Sequence, residues 1–273
     1  MGQNSGQTVY DFGMANGGDV KYYLRKGFNV IGVEANPVSC ANVEAALGSE
    51  IGSGRLKVVN KAIGEEAGAL PFFVCDEMTT LSTASPKLVK EWTERGHEFR
   101  EIEVEFCRAN EVFAQDTNPY FVKIDIEGFD LICLRQILTN GIAPEYVSLE
   151  VDFANFEEAI ALCEEHGFSE FQIIDQSTIG STQDVITAQD GSQEVFSFRP
   201  GNAGKFGADL DESWAKAEIV TAQLERIRIQ FKMVSALRKL LSWSAPARAL
   251  RDALLSQIKI RNSWYDLHAR RAG

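Results

Sequence analysis

The feature that most constrains the fold is the run of residues 8–26, where an apolar segment meets a glycine-rich turn and then a helical pattern. Residues 8–12 (TVYDF) have the composition of a buried strand, residues 13–18 are rich in glycine, and residues 19–26 have helical spacing. Glycine has no Cβ, so the turn allows a ligand to approach the backbone closely. The order strand, turn, helix predicts the first unit of an open α/β sheet with a ligand crevice at its carboxyl edge.

The same alternation continues along the chain, because short apolar runs alternate with helical patterns. Helical crossovers of this kind bring successive strands parallel. We therefore predict an α/β, Rossmann-like fold, with a mostly parallel seven-stranded sheet, helices on both faces and a hairpin-like ending. Residues 70–108 interrupt the alternation. After residues 8–12, the predicted strands are residues 29–35, 56–63, 120–126, 146–151, 171–175 and 194–199.

Glu34 ends the second predicted strand, 21 residues after Gly13. An acidic side chain there can accept hydrogen bonds from both hydroxyls of a ribose, as in adenosine-containing cofactors. Ala15 replaces the second glycine of the dinucleotide pattern G-x-G-x-x-G, so the turn does not favour a pyrophosphate. The spacing predicts an adenosyl ligand without phosphates, and the alternative is a surface turn with an incidental glutamate before Asn36.

Two carboxylates, Asp125 and Glu127, end a central strand, where the crevice of an open sheet lies. Such a pair can take the proton of a hydroxyl group, or it can hold a divalent metal that lowers the pKa of that hydroxyl group. The alternative is that both only cap the following helix. Glu150 ends the next strand and could face the same crevice, and His268 could reach it if the chain terminus folds back.

Net charge and its distribution limit the partners. The net charge of −12 argues against a nucleic-acid binder, which would need a basic face. We find no leader-like start and no run of about 20 apolar residues, which predicts a cytoplasmic protein without a transmembrane segment. The five cysteines are scattered and indicate neither disulfides nor a zinc site. Homo-oligomer formation stays open.

The C-terminal part differs from the rest, since residues 213–273 hold 12 Lys and Arg against 4 Asp and Glu. Apolar residues recur at helical spacing from Ile227 to Leu241. We therefore predict two domains: residues 1–210 as the ligand-binding body, and residues 211–273 as an amphipathic extension of long helices without strands. The extension would pack on the body or adsorb to an anionic partner.

These motifs together resemble the FkbM family of methyltransferases. The resemblance covers residues 8 to about 175, and residues 264–269 are similar to a longer FkbM subgroup found beside glycan-building enzymes. The matching stretches are residues 11–18, 33–37 and 122–128, with weaker matches at residues 61–64 and 80–82.

The resemblance implies an S-adenosylmethionine-dependent O-methyltransferase acting on a hydroxyl of a sugar, glycan or related natural product. It places the cofactor on Asp11, Gly13, Asn16, Gly17, Glu34, Ala62 and Asp125. It makes Asp125, Glu127, Glu150 and His268 the catalytic candidates and leaves a divalent metal undetermined. Two alternatives remain: an NAD-dependent oxidoreductase, and a non-catalytic scaffold or membrane-surface module.

Overall fold

The central element of the computed structural model is a seven-stranded sheet of order β3-β2-β1-β7-β8-β12-β9. The structure describes residues 6–187, 193–211, 213–241 and 263–271. Six strands run parallel, and β12 is antiparallel to both its neighbours. The strands are β1 (Thr8–Phe12), β2 (Asn29–Val33), β3 (Leu56–Val59), β7 (Phe121–Ile124), β8 (Tyr146–Glu150), β9 (Phe168–Asp175) and β12 (Tyr265–Arg271).

Helices cover both faces of the sheet, as the alternating pattern predicts, so the predicted fold class is confirmed. One face packs on α6, α7 and α8 around Val122 and Ile124, and the other packs on α1 and α2 around Val9 and Phe121. The helices are α1 (Gly18–Arg25), α2 (Pro37–Ala46), α3 (Gly48–Gly52), α4 (Pro86–Thr93), α5 (Ala109–Val112), α6 (Asp130–Thr139), α7 (Phe156–Glu165) and α8 (Ala217–Leu240). No helix among the described residues is both long and apolar enough to cross a membrane.

The interruption in the alternation is a separate three-stranded sheet of order β4-β6-β5. Its strands are β4 (Ala62–Ile63), β5 (Gly68–Val74) and β6 (Arg100–Cys107), and α4 lies between the last two in sequence. Phe72, Val74, Val104 and Phe106 form its own small apolar cluster. Ala35, just after β2, belongs to the same cluster, so the insertion packs next to the carboxyl end of β2.

Two parts of the sequence prediction are wrong about strands. Residues 194–199 do not join the central sheet, because β11 (Gln193–Ser197) pairs with β10 (Gln183–Thr187) in a two-stranded hairpin. The region after residue 211 is not free of strands, because β12 inserts between β8 and β9. Alternation explains this placement: Leu267 and Ala269 enter one apolar core, while Asp266 and His268 face the other side.

Candidate active site

A large cleft lies at the carboxyl edge of the parallel strands, where ligands bind in open α/β sheets. Its volume is about 1270 Å³. The ends of β1, β2, β7 and β8 line it, together with the segment after β11 and the start of β12. The cleft is therefore lined by parts of the chain that are far apart in sequence.

The glycine turn after β1 is shaped by close backbone packing. Gly13 has φ of 87°, and a Cβ there would lie 1.8 Å from the carbonyl oxygen of Asp125. Gly17 caps α1 with φ of 72°, and its added Cβ would lie 2.9 Å from Val43. Both positions are therefore restricted to glycine. Gly13 and Asn16 line the cleft, whereas Gly17 is buried against α2 and does not.

Glu34 is fixed at the carboxyl end of β2 with its side chain in the cleft wall. Its Oε2 accepts a hydrogen bond from the Ala15 amide at 2.9 Å, and its Oε1 accepts one from the Asn36 amide at 2.7 Å. Burial raises the pKa of this carboxyl group. Ala62, from β4, lies in the same wall. The turn and the acid that the sequence pairs by spacing are thus in direct contact.

Lys123 forms a buried ion cluster beneath the cleft. The sequence motifs did not indicate this role for Lys123. Its Nζ lies 3.1 Å from Asp125 Oδ2, 3.5 Å from Asp11 Oδ1 and 4.0 Å from Asp19 Oδ2. Burial alone would lower the pKa of Lys123, but these carboxylates raise it well above its usual value. The sequence did contain a signal for this cluster, namely a lysine inside the apolar run FVKI. Lysine is rarely buried without a partner, so a lysine in a buried strand implies nearby acidic groups.

Asp11 therefore occupies a different place from the one predicted. It is fully buried, faces Lys123 and is not part of the cleft lining. Burial raises its pKa despite the attraction of Lys123. Asp19, in the first turn of α1, does line the cleft and accepts a hydrogen bond from the Ala203 amide at 3.0 Å. Burial raises the pKa of Asp19 to about 7.

Three of the predicted catalytic carboxylates meet on the cleft floor. Asp125, Glu127 and Glu150 each offer an oxygen within 4.8 Å of the others. Burial, reinforced by the charge of Asp125, raises the pKa of Glu127 to about 8 and that of Glu150 well above its usual value. Within the described residues, these are the side chains grouped so that they could hold a metal ion.

In the part of the chain that the structure describes, no side chain caps the N-terminus of α6, whose N-cap residue is Phe129. Asp130 accepts hydrogen bonds from the amides of Ile126 and Gly128, both at 3.2 Å. Asp125 instead accepts a bond from Lys123 Nζ. Glu127 has φ of 49°, and Thr83 Oγ1 donates a hydrogen bond to its carbonyl oxygen at 2.8 Å. The carboxylates of Asp125 and Glu127 are therefore available to the cleft.

His268 does not reach the cleft. It pairs in register with Ser148 and Gln172 on the neighbouring strands, is 2% exposed and stacks parallel to Phe121. Burial lowers the pKa of its imidazole from 6.5 to about 3. Asp266, two residues earlier in β12, lines the cleft instead and accepts a hydrogen bond from Gln176 at 2.7 Å. The motif containing His268 is therefore part of the sheet.

The chain is similar to a known protein family. The sequence model described as the methyltransferase FkbM domain matches residues 8–170. None of the curated proteins matches the chain.

Among solved structures, a precorrin-6y C5,15-methyltransferase from Geobacter metallireducens has 10% identity and a TM-score of 0.36, with 71% of this chain and 77% of that chain covered. A putative sarcosine dimethylglycine methyltransferase from Galdieria sulphuraria has 9% identity and a TM-score of 0.41, with 98% and 80% covered. Phosphoethanolamine N-methyltransferase 2 from Haemonchus contortus, in complex with S-adenosyl-L-methionine, has 12% identity and a TM-score of 0.40, with 99% and 50% covered.

Proposed function

This chain belongs to the FkbM methyltransferase family, and from that premise we propose that it binds S-adenosylmethionine and methylates a hydroxyl group of a sugar, glycan or related natural product. One observation supports this most strongly. A single cleft holds Glu34 beside the glycine turn and, on its floor, the carboxylates Asp125, Glu127 and Glu150. The first part suits an adenosine, and the second suits an acceptor that must lose a proton.

The residues around the turn fit an adenosyl group without phosphates. The carboxylate of Glu34, already oriented by two amides, can accept from the ribose hydroxyls with its remaining lone pairs. Asp19 and Asp125 stand near the N-terminus of α1, where a dinucleotide would place its pyrophosphate. Two carboxylates there disfavour a pyrophosphate by like-charge repulsion and favour a cationic group. This argues for the methyltransferase and against the NAD-dependent oxidoreductase.

When bound, S-adenosylmethionine supplies an electrophilic methyl group on its sulfonium. Transfer of that methyl group to the acceptor oxygen would release the hydroxyl proton, and a carboxylate of the chain would take it. Burial raises the pKa of Glu127 to about 8, so its deprotonated form is a strong base for a carboxylate and becomes more populated as the pH rises toward 8. Lys123 holds Asp125 in place, so that Asp125 orients the reacting groups.

A divalent metal is the alternative way to activate the hydroxyl. Asp125, Glu127 and Glu150 are oxygen ligands of the kind that Mg²⁺ or Mn²⁺ prefers. With metal activation, EDTA abolishes transfer and added Mg²⁺ or Mn²⁺ restores it, whereas the base mechanism is unaffected by EDTA.

The test of the proposed function is calorimetric titration with S-adenosylhomocysteine and with NAD. We expect S-adenosylhomocysteine to bind and NAD not to bind. Glu34→Ala removes one to two ribose hydrogen bonds and should weaken binding by about 1–3 kcal/mol. Glu44→Ala, at an exposed position on α2, is the matched control and should leave affinity unchanged. Equal affinities for Glu34→Ala and the wild type would remove Glu34 from the site.

A further inference from the structure

The cleft has a second wall whose chemistry is opposite to that of its floor. Lys21 and Arg25 lie four residues apart on α1 and so share a helix face. Arg199 follows β11 and lines the same cleft. All three side chains are exposed to solvent at this wall, whereas the floor carries carboxylates. The lining therefore has exposed cations on α1 and after β11, and half-buried carboxylates at the ends of β7 and β8.

These cations form few ion pairs within the protein. Within the described part of the chain, neither Lys21 nor the Arg199 guanidinium has a carboxylate within ion-pair distance. Arg25 lies 3.7 Å from Glu194, but both side chains are about half exposed, at 52% and 43%. An exposed pair of this kind contributes little. In residues 1–212, where acidic side chains outnumber basic ones, two cations without an ion pair and a third in one exposed pair favour an anionic ligand in the cleft.

Aromatic side chains line the same cleft. Trp264, just before β12, is 46% exposed in the cleft lining. The guanidinium of Arg25 lies 5.5 Å from the ring centroid of Phe196, also in the lining. Partly exposed aromatic faces can pack against the apolar face of a sugar ring. The wall thus combines a surface for a ring with charges for an anion.

The cleft has room for a second molecule beside the cofactor. Its volume of about 1270 Å³ exceeds the roughly 300–1,000 Å³ of a site for one drug-sized ligand. The floor consists of carboxyl groups, which form hydrogen bonds with a hydroxyl group, while the phosphate of an acceptor is drawn to the cations. An acceptor with an anion at one end would therefore bind in one orientation, with its hydroxyl toward Glu127.

Building on the proposed function, we propose that the methyl acceptor is a phosphorylated sugar whose phosphate is bound by Lys21, Arg25 and Arg199. Arginine pairs with phosphate oxygens through two parallel hydrogen bonds, and lysine adds a point charge. The phosphate belongs to either a sugar monophosphate or a nucleotide-linked sugar. Both are sugars with a free hydroxyl group, and in both a phosphate holds the sugar ring in the site.

The test is calorimetric titration of the full chain saturated with S-adenosylhomocysteine. The probes are glucose 1-phosphate, UDP-glucose, inorganic phosphate and glucose. We expect at least one of the two sugar phosphates to bind more tightly than inorganic phosphate, and glucose not to bind. The double variant Arg25→Gln/Arg199→Gln should weaken sugar-phosphate binding roughly 10- to 100-fold, because it removes charge-assisted hydrogen bonds. Arg226→Gln, exposed on α8 outside the cleft, is the matched control and should bind like the wild type.

Three outcomes would overturn the proposal. They are equal binding of glucose and its phosphate, failure of both sugar phosphates to bind better than inorganic phosphate, and unchanged sugar-phosphate binding in the double variant. A fall in S-adenosylhomocysteine affinity in the double variant, with no change for the sugar phosphates, would assign the cations to the cofactor's carboxylate instead. Failure of the proposed function is separate, because the wild type would then not bind S-adenosylhomocysteine at all.

Discussion

At the scale of single residues, burial decides the chemistry of the site. Lys123 is surrounded by Asp11, Asp19 and Asp125, and removing one partner of such a buried cluster leaves charges uncompensated. Among the described residues, neither Glu127 nor Glu150 forms an ion pair, and burial raises the pKa of both. Similar side chains therefore stand in two settings, one an ion cluster around Lys123 and the other a half-buried pair without an ion-pair partner in the described residues.

The carboxylate pair gives the first residue-scale prediction. Asp125→Asn and Glu127→Gln keep the shape of each side chain but remove its capacity as a base. Methyl transfer from S-adenosylmethionine to a bound sugar phosphate should fall roughly 10²- to 10⁴-fold, while calorimetric affinity for S-adenosylhomocysteine stays near the wild-type value. Near wild-type transfer by both amide variants would show that neither side chain activates the acceptor.

His268 gives a prediction for stability against pH. Its imidazole has a pKa of about 3 in the folded protein and 6.5 when exposed. The unfolded chain therefore binds a proton below pH 6.5 that the folded protein does not. The stabilisation by neutral His268 is complete above pH 6.5 and is lost as pH falls toward 3, by about 1.4 kcal/mol per pH unit.

The measurement is urea unfolding of the wild type and His268→Gln between pH 7.5 and 4.5. Because glutamine does not titrate, the difference in free energy of unfolding between the two proteins should shrink as pH falls below 6.5. A difference that stays constant over this range would mean that His268 is protonated in the folded state or is hydrated there.

At the scale of elements, β12 is the segment on which the sheet depends most. It fills the space between β8 and β9 and pairs with both along most of its length. It also brings Asp266 and Trp264 to the cleft. The C-terminal region is thus part of the catalytic body, in addition to supplying α8.

A truncation tests this role of β12. A chain ending at residue 262 lacks the strand, so the facing edges of β8 and β9 lose their hydrogen bonds. The core also loses the side chains of Leu267 and Ala269. We expect the truncated chain to aggregate, and a synthetic peptide of residues 263–273 added during refolding to restore a soluble protein. Soluble monomers with native circular dichroism in the absence of the peptide would contradict this.

At the scale of the whole molecule, the cleft is assembled from parts that fold together. Its walls come from β1 and β2, the inserted sheet, the segment after β11 and the start of β12. A ligand in the cleft therefore contacts residues from distant parts of the chain, between Gly13 and Asp266. Binding to the folded state alone should stabilise the molecule as a unit.

Thermal unfolding measures this coupling. At a concentration 100 times its dissociation constant, S-adenosylhomocysteine should stabilise the folded protein by about 2.7 kcal/mol and raise Tm. NAD at the same concentration should leave Tm unchanged. The Glu34→Ala variant needs more S-adenosylhomocysteine for the same rise in Tm, and a similar rise with NAD would favour a dinucleotide site.

The sequence by itself determined the parallel sheet and much of the cofactor side of the cleft. These features depend on local order: a strand, a glycine turn and a helix, then Glu34 at the end of the next strand. The meeting of Asp125 and Glu127 with Glu150 also follows from sequence, because parallel strands end at the same edge of a sheet.

Only the tertiary structure decided what depends on pairing between distant segments. Alternation in residues 265–271 is compatible with a strand, but the sequence does not say that it enters the sheet between β8 and β9, so His268 was expected at the cleft and is buried instead. Likewise, Asp11 and Lys123 are adjacent only because β1 pairs with β7. Strand order and burial are set by packing over the whole chain, which no local pattern contains.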